Sequence, residues 1–135
     1  MIVDTSALLA FFDTSEPDHA AVAGAILGAD EPLVVSPYAI AELDYLVATR
    51  YGVAAELAVL DELAGGAWEL AALDADDLRV ACRIIEEYPD QAIGVADASA
   101  VVLAHRVGTR RIATLDRRHF DVLRPLGGGR FSIVP

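Results

Sequence analysis

The chain contains no lysine, a single cysteine, no apolar stretch long enough for a membrane span and no glycine-rich phosphate turn. Each absence removes a class of protein. Cys82 can form no internal disulfide and has no second cysteine with which to build a metal knuckle. Set in an apolar helical pattern, it is expected to pack in the core as a small hydrophobe. The longest nearly uninterrupted apolar run, Ala20 to Ala29, is about half the ~20 residues that cross a bilayer. The first residues also lack the basic-then-apolar pattern of a secretory leader. A cytoplasmic protein that does not enter membranes is therefore expected. A dinucleotide-binding fold would need a Gly-x-Gly-x-x-Gly turn after the first strand, and none is present.

What is present is a chain of 135 residues, 55% of them hydrophobic. That suffices for a substantial core, and the length fits one domain over residues 1–135. The net charge of −11 opposes contact with nucleic acid in the aggregate. Locally the sign reverses: residues 1–78 carry 15 acids and only Arg50, whereas residues 79–135 carry six acids and nine arginines. Every cation is thus a planar guanidinium suited to bidentate phosphate contact, although genome composition explains an all-arginine set equally well.

The hydrophobic pattern predicts a short buried strand over Met1–Asp4 and a helical turn or two over Ala7–Phe12. A helix from Pro17 to Leu27 and a strand over Leu33–Val35 follow. Ser36 is a suitable N-cap and Pro37 a suitable first residue for a helix that runs to Tyr51 and ends at Gly52. A helix over Ala54–Leu63, a strand over Trp68–Leu73 and a helix capped by Asp74 and stopped at Pro89 come next. A helix over Val95–Val107, a strand over Arg111–Leu115, a short helix over Arg118–Leu123 and a strand over Phe131–Val134 complete the chain. Strands alternating with helices imply a mostly parallel sheet covered on both faces, an α/β/α sandwich of three layers.

Four acids fall where such a sheet exposes its chemistry. Asp4 ends the first strand, the point at which a carboxylate enters the crevice above the sheet. Capping of the next helix, with Thr5 and Ser6, accounts for an aspartate there equally well. Glu42 projects beside Ala39 and Leu46, next to the apolar stripe of Leu43 and Val47. An ionised carboxylate is costly there unless it is metal-bound or held in a rim salt bridge. Asp97 opens its helix in line with Ala100, Val101 and Ala104, although an acid in a first turn also complements the helix dipole. Asp116 follows its strand as Asp4 follows the first, or caps the Arg118 helix. If the two strands are neighbours, Asp4 and Asp116 emerge at one edge, and two carboxylates that close repel until a divalent cation relieves them. Hard oxygen ligands without a cysteine or histidine cluster point to Mg²⁺ or Mn²⁺ rather than zinc. Such a site suits phosphodiester hydrolysis by metal-activated water.

Four segments carry a family resemblance: Ile2-Val3-Asp4-Thr5-Ser6-Ala7-Leu8, Ser36 to Leu46, Asp97 with its small-residue helix, and Ala113-Thr114-Leu115-Asp116-Arg117-Arg118-His119-Phe120. In that order and spacing the sequence resembles the PIN-domain nucleases, in particular the VapC-type toxins of type II toxin–antitoxin modules. The resemblance implies a five-stranded parallel sheet and Mg²⁺- or Mn²⁺-dependent cleavage of RNA. It also implies a VapB-type antitoxin that occludes the site, and a homodimer that forms a heterotetramer or larger complex with it. Position by position, it makes Asp4, Glu42, Asp97 and Asp116 the catalytic and metal-binding acids, Ser6 the polar residue near the metal and Thr114 the threonine of the late strand. A further acid carried by many relatives is replaced by His119, expected to be structural or exposed, or to touch phosphate. Arg110, Arg117 and Arg118, in a cluster with Arg106, Arg111 and Arg124, are candidates for the RNA path or for pairing with an acidic antitoxin. Residues 38–63, with Tyr38, Tyr45, Leu46, Leu57 and Leu60, would supply an apolar groove for an antitoxin helix, although core packing accounts for many of them.

Two other readings compete. Aspartyl phosphotransfer domains place an Asp after the first strand, but the receiver and haloacid-dehalogenase-type families use a catalytic lysine, which is lacking here. The second also wants an acid where Ser6 stands. A PIN-like domain that binds RNA or a partner without cleaving it would be favoured by a missing acid, and all four are present.

Overall fold

The computed structural model describes residues Met1 to Pro135. Five short strands, β1 (Ile2–Val3), β2 (Val34–Val35), β3 (Glu69–Leu70), β4 (Arg111–Ala113) and β5 (Ser132–Val134), alternate with seven helices. The helices are α1 (Thr5–Phe12), α2 (His19–Leu27), α3 (Pro37–Tyr51), α4 (Val53–Ala64), α5 (Ala75–Glu87), α6 (Val95–Val107) and α7 (Arg117–Phe120). The strands form one sheet in the order β3-β2-β1-β4-β5, every pair parallel. The expected three layers are present, and the sheet is parallel throughout.

Register and the two-residue period of a strand divide the core between the faces. Ile2 lies opposite Val34 and Ile112, and all three belong to one buried cluster with α5, α6 and Phe120. Val3 lies opposite Val35 and Ala113, and these join the other cluster with α1, α2, α3 and Trp68. Because strands buried on both faces need covering on both, α6 is apolar nearly all round: every residue from Ala98 to Ala104 is buried. No helix is long and apolar enough to cross a membrane.

Helix boundaries follow local chemistry. Ser36 Oγ accepts the Tyr38 N–H and Pro37 occupies the first turn of α3, which ends at Gly52 with φ of +83°, a conformation that favours glycine. Asp74 accepts two backbone N–H groups of α5, while Asp77 reaches back to the Asp74 N–H.

Two expectations need correction. Of the segment Trp68–Leu73, only Glu69 and Leu70 pair with the sheet, as an exposed edge, and Trp68 turns inward against Phe11 and Phe12. Cys82 is exposed. The face that α5 turns inward is Asp77, Val80, Ala81, Ile84, Ile85 and Tyr88, and one residue step beyond Ala81 rotates Cys82 by about 100° off that stripe.

Candidate functional site

Strand order reverses between β1 and β4. In an open parallel sheet that is where successive connections diverge and leave a crevice beyond the C-terminal strand ends. Asp4 leaves β1 there, with Thr114, Leu115 and Asp116 leaving β4 beside it. A cleft of about 810 Å³ opens at this point, and Asp4, Glu42, Asp97 and Asp116 all line it, together with Ser6 and His119.

Asp4 is only 7% exposed. Ser6 Oγ at 2.8 Å and Thr114 Oγ1 at 2.9 Å both donate to its Oδ2, and the Ser6 N–H at 3.4 Å adds a weak cap of α1. The two hydroxyls accept backbone N–H groups in turn, Ser6 from Leu115 and Thr114 from Asp116, each at 2.9 Å. Their own protons are therefore free for Asp4, and the end of β1 is tied to the chain leaving β4. Burial pushes the Asp4 carboxyl above its ordinary value of 3.8, the Ser6 and Thr114 hydroxyls pull it down, and the neighbouring Asp97 charge pushes it up again. No cationic group pairs with Asp4.

Glu42 stands at the exposed lip of the cleft rather than against the core edge. It forms no rim salt bridge; its Oε2 accepts the Thr5 hydroxyl at 2.8 Å. The helices that carry Glu42 and Asp97 are joined by a buried 2.6 Å hydrogen bond between Ser36 Oγ and Ser99 Oγ. Ser99 gives its proton to the Ala96 carbonyl, so Ser36 is the donor in that pair.

Asp97 Oδ2 accepts the Gly94 N–H at 2.9 Å, closing the first turn of α6, while its Oδ1 lies 3.2 Å from His119 Nδ1. Asp116 caps α7 through Oδ1, which accepts the His119 N–H at 3.3 Å, and its Oδ2 lies 3.3 Å from His119 Nδ1. Capping and cleft lining thus coincide at Asp4, Asp97 and Asp116. Sequence reasoning did not anticipate His119 between two of the acids. The available signal was its place three residues after the capping Asp116, from which a side chain can fold back over the cap.

The arginines divide by location. Arg106 pairs with Asp77 and the Ala72 carbonyl, Arg111 with Asp30 and Glu31, and Arg124 with the Asp121 and Leu123 carbonyls. Arg110 precedes β4 and so lies at the end of the sheet away from the acids, against Gly129. Arg117 reaches the Pro135 carbonyl, and Arg118 lies 3.1 Å from His119 Nε2. Arg50, not anticipated as a site residue, lines the cleft with Tyr38 and Tyr45.

The donor set fits a hard divalent cation: four carboxylates, no thiolate, and a buried aspartate without a cationic partner. As the side chains lie, no three acid, imidazole or thiol groups stand close enough together to hold a metal ion at once. Hydrogen bonds to Ser6, Thr114, Gly94 and His119 hold the aspartates at their separate stations.

The PIN domain family model matches residues 1–124. Over 135 residues, all of both chains, the sequence is 66% identical to Ribonuclease VapC26 of Mycobacterium tuberculosis. Among solved structures, that of VapC20 from Mycobacterium tuberculosis, a sarcin-ricin loop cleaving toxin, superposes with a TM-score of 0.80 at 16% identity over 87% of this chain and 91% of that one. FitAcB from Neisseria gonorrhoeae gives 0.66 at 17% identity, over 97% and 96%. At these identities the two structures bear on the fold alone.

Proposed function

This chain belongs to the PIN-domain family, and we propose that it is a metal-dependent endoribonuclease, the toxin of a toxin–antitoxin pair, with residues 1–135 acting as one catalytic domain. The observation that carries this reading is the meeting of Asp4, Glu42, Asp97 and Asp116 in one cleft at the point where the sheet's strand order reverses. Full-length likeness to a VapC ribonuclease supports RNA as the substrate.

When bound, Mg²⁺ or Mn²⁺ supplies Lewis-acid polarisation of the scissile phosphate and lowers the pKa of the attacking water. The residues that would hold it are Asp4, Asp97 and Asp116, with Glu42 at the lip. Ser6 and Thr114 fix the Asp4 carboxylate by donating both hydroxyl protons to Oδ2, which offsets part of the cost of burying its charge. Glu42 Oε1 carries no protein hydrogen bond, which leaves it free to take the proton lost by the attacking water. Arg50 lines the cleft and Arg117 and Arg118 follow β4 at the acids' end of the sheet; in this reading they meet phosphates of the RNA. Tyr38 and Tyr45 line the same cleft, where aromatic rings would stack with unstacked bases. Arg110, which precedes β4, stands at the opposite end of the sheet.

An apolar hollow of about 190 Å³, lined by Leu9, Phe12, Val47 and Tyr51 among others, adjoins the cleft through Leu9. With exposed Tyr45, Val53 and Leu57 nearby in the chain, it supports inhibition by an antitoxin helix laid across the site, on a toxin that is itself a homodimer. Cleavage of end-labelled structured RNAs by antitoxin-free protein tests the catalytic reading. Mg²⁺ or Mn²⁺ should support cleavage, EDTA should stop it, and Asp97→Asn should slow it at least about 100-fold. Equal cleavage by wild type and Asp97→Asn, or indifference to EDTA, would contradict it.

A further inference from the structure

His119 is buried, 8% exposed, at the one position where the carboxylates of Asp97 and Asp116 both come within reach of a single ring nitrogen. Its Nδ1 lies 3.2 Å from Asp97 Oδ1 and 3.3 Å from Asp116 Oδ2. The other ring nitrogen faces the Arg118 guanidinium, with Nη2 3.1 Å from Nε2. A guanidinium has only N–H donors. A short contact with it is favourable only if Nε2 presents its lone pair, which leaves the single ring proton on Nδ1, between the two carboxylates. The ring is also fixed from below, since the His119 N–H is bound to Asp116 Oδ1 and the next residue, Phe120, is sunk in the core.

We propose that His119 is a positioning residue for the cation site: with the Nδ1 proton between the two carboxylates and Nε2 turned to Arg118, the ring holds Asp97 and Asp116 at a common spacing and leaves their remaining lone pairs for a divalent ion. The inference rests on reading the acids as metal ligands. A ring N–H shared by two carboxylates suits the task because it relieves the repulsion between them. Outer groups that orient ligands in this way typically change metal affinity by about 10- to 100-fold when removed. Neither carboxylate need release the ring for the ion to bind, since each oxygen keeps a second acceptor position.

The test reads Mn²⁺ affinity by calorimetry and by the loss of the free-ion EPR signal, with the ring tautomer read from ¹⁵N shifts of labelled histidine. His119→Phe keeps the ring's bulk and removes the donor; it should weaken Mn²⁺ binding by about 10- to 100-fold. His119→Asn places an amide N–H where Nδ1 stands and should restore most of the loss, whereas His119→Gln, whose amide matches Nε2 instead, should not. If the Phe variant fails to fold, the Asn and Gln pair carries the comparison. In wild type the spectrum should show the ring protonated on Nδ1, where the two carboxylates stand. Wild-type Mn²⁺ affinity in both His119→Phe and His119→Gln, or a wild-type ring protonated on Nε2, would overturn the assignment while leaving the acids as ligands. Failure of the wild-type protein to bind Mn²⁺ at all would overturn the ligand reading itself, and the positioning role with it.

Discussion

Asp4→Asn should abolish RNA cleavage and at the same time raise the melting temperature of the metal-free protein. The two effects share one cause. Asp4 is buried without a cationic partner and close enough to Asp97 to feel its charge, so its ionised form is disfavoured in the folded state. Asparagine keeps an oxygen to accept the Ser6 and Thr114 hydroxyls, removes the charge, and can no longer act as an anionic ligand. A bound cation supplies several kcal/mol of transition-state stabilisation, so a crippled site should lose about 10²- to 10⁴-fold in rate. The pH dependence follows from the upward shift. Below the ordinary value of 3.8 the carboxyl is protonated in both folded and unfolded chains and contributes nothing. Between 3.8 and the raised folded value only the unfolded chain ionises as pH rises, so the folded state loses stability across that interval. Melting curves in EDTA should therefore show the advantage of Asp4→Asn vanishing below about pH 3.8 and fully developed at neutral pH. A variant that melts below wild type at neutral pH would mean that the carboxylate is compensated in a way that its surroundings do not reveal.

Phe120→Ala should carry the largest stability loss of any substitution near the site. The ring is 1% exposed, meets Phe131 edge-on at 6.3 Å between centroids, and sits in the cluster that α6 and Ile112 share. Truncating a buried phenylalanine costs about 3–5 kcal/mol, out of a total of roughly 5–15 for a domain. Its position adds a functional consequence. Helix α7 is a single turn, too short to persist without tertiary anchoring, and it carries His119 immediately before Phe120, with Asp116 as its cap. Loosening the anchor should let both residues drift and reduce cleavage even at temperatures where the variant stays folded. Phe120→Leu should cost far less, since it keeps most of the apolar volume. Urea titration of the three proteins, with cleavage measured in the absence of urea, checks both parts. Wild-type midpoint and wild-type rate for Phe120→Ala would show that α7 is held by something else.

Much of the frame was legible because it rests on local chemistry. Ser36-Pro37 and Gly52 bound α3 as expected, since a hydroxyl cap, a proline without an N–H and a residue with positive φ each satisfy a terminus in their own way. Asp4 and Asp116 were placed by reasoning about strand ends alone, and the parallel pairing of β1 with β4 brings them together. The competing explanation for these acids, helix capping, is also realised. Cap and site are not alternatives, because an aspartate that spends one acceptor position on a backbone N–H has others left for the cleft.

What the sequence hid depends on pairings across long separations. Arg111 meets Asp30 and Glu31, and Arg106 meets Asp77 and the Ala72 carbonyl, so two arginines of the cluster near the late motifs are committed to holding the fold together. Arg110 is only a few residues from Asp116 in sequence, yet β4 runs between them and separates them by its own length. Arg50 reaches the cleft from the last turn of α3, a position that no motif marks. His119 was obscured for a related reason: the direction of its ring depends on a one-turn helix whose existence rests on Phe120 and Leu123 being buried together.

The central claim, that the four carboxylates form one cation site, is tested most directly by the anomalous scattering of Mn²⁺ in crystals of the antitoxin-free protein. The account predicts a peak in the cleft with oxygens of Asp4 and Asp97 as ligands and Glu42 or Asp116 completing the set, lost in Asp97→Asn crystals. Density confined to other surface acids, or a peak unchanged by Asp97→Asn, would contradict it.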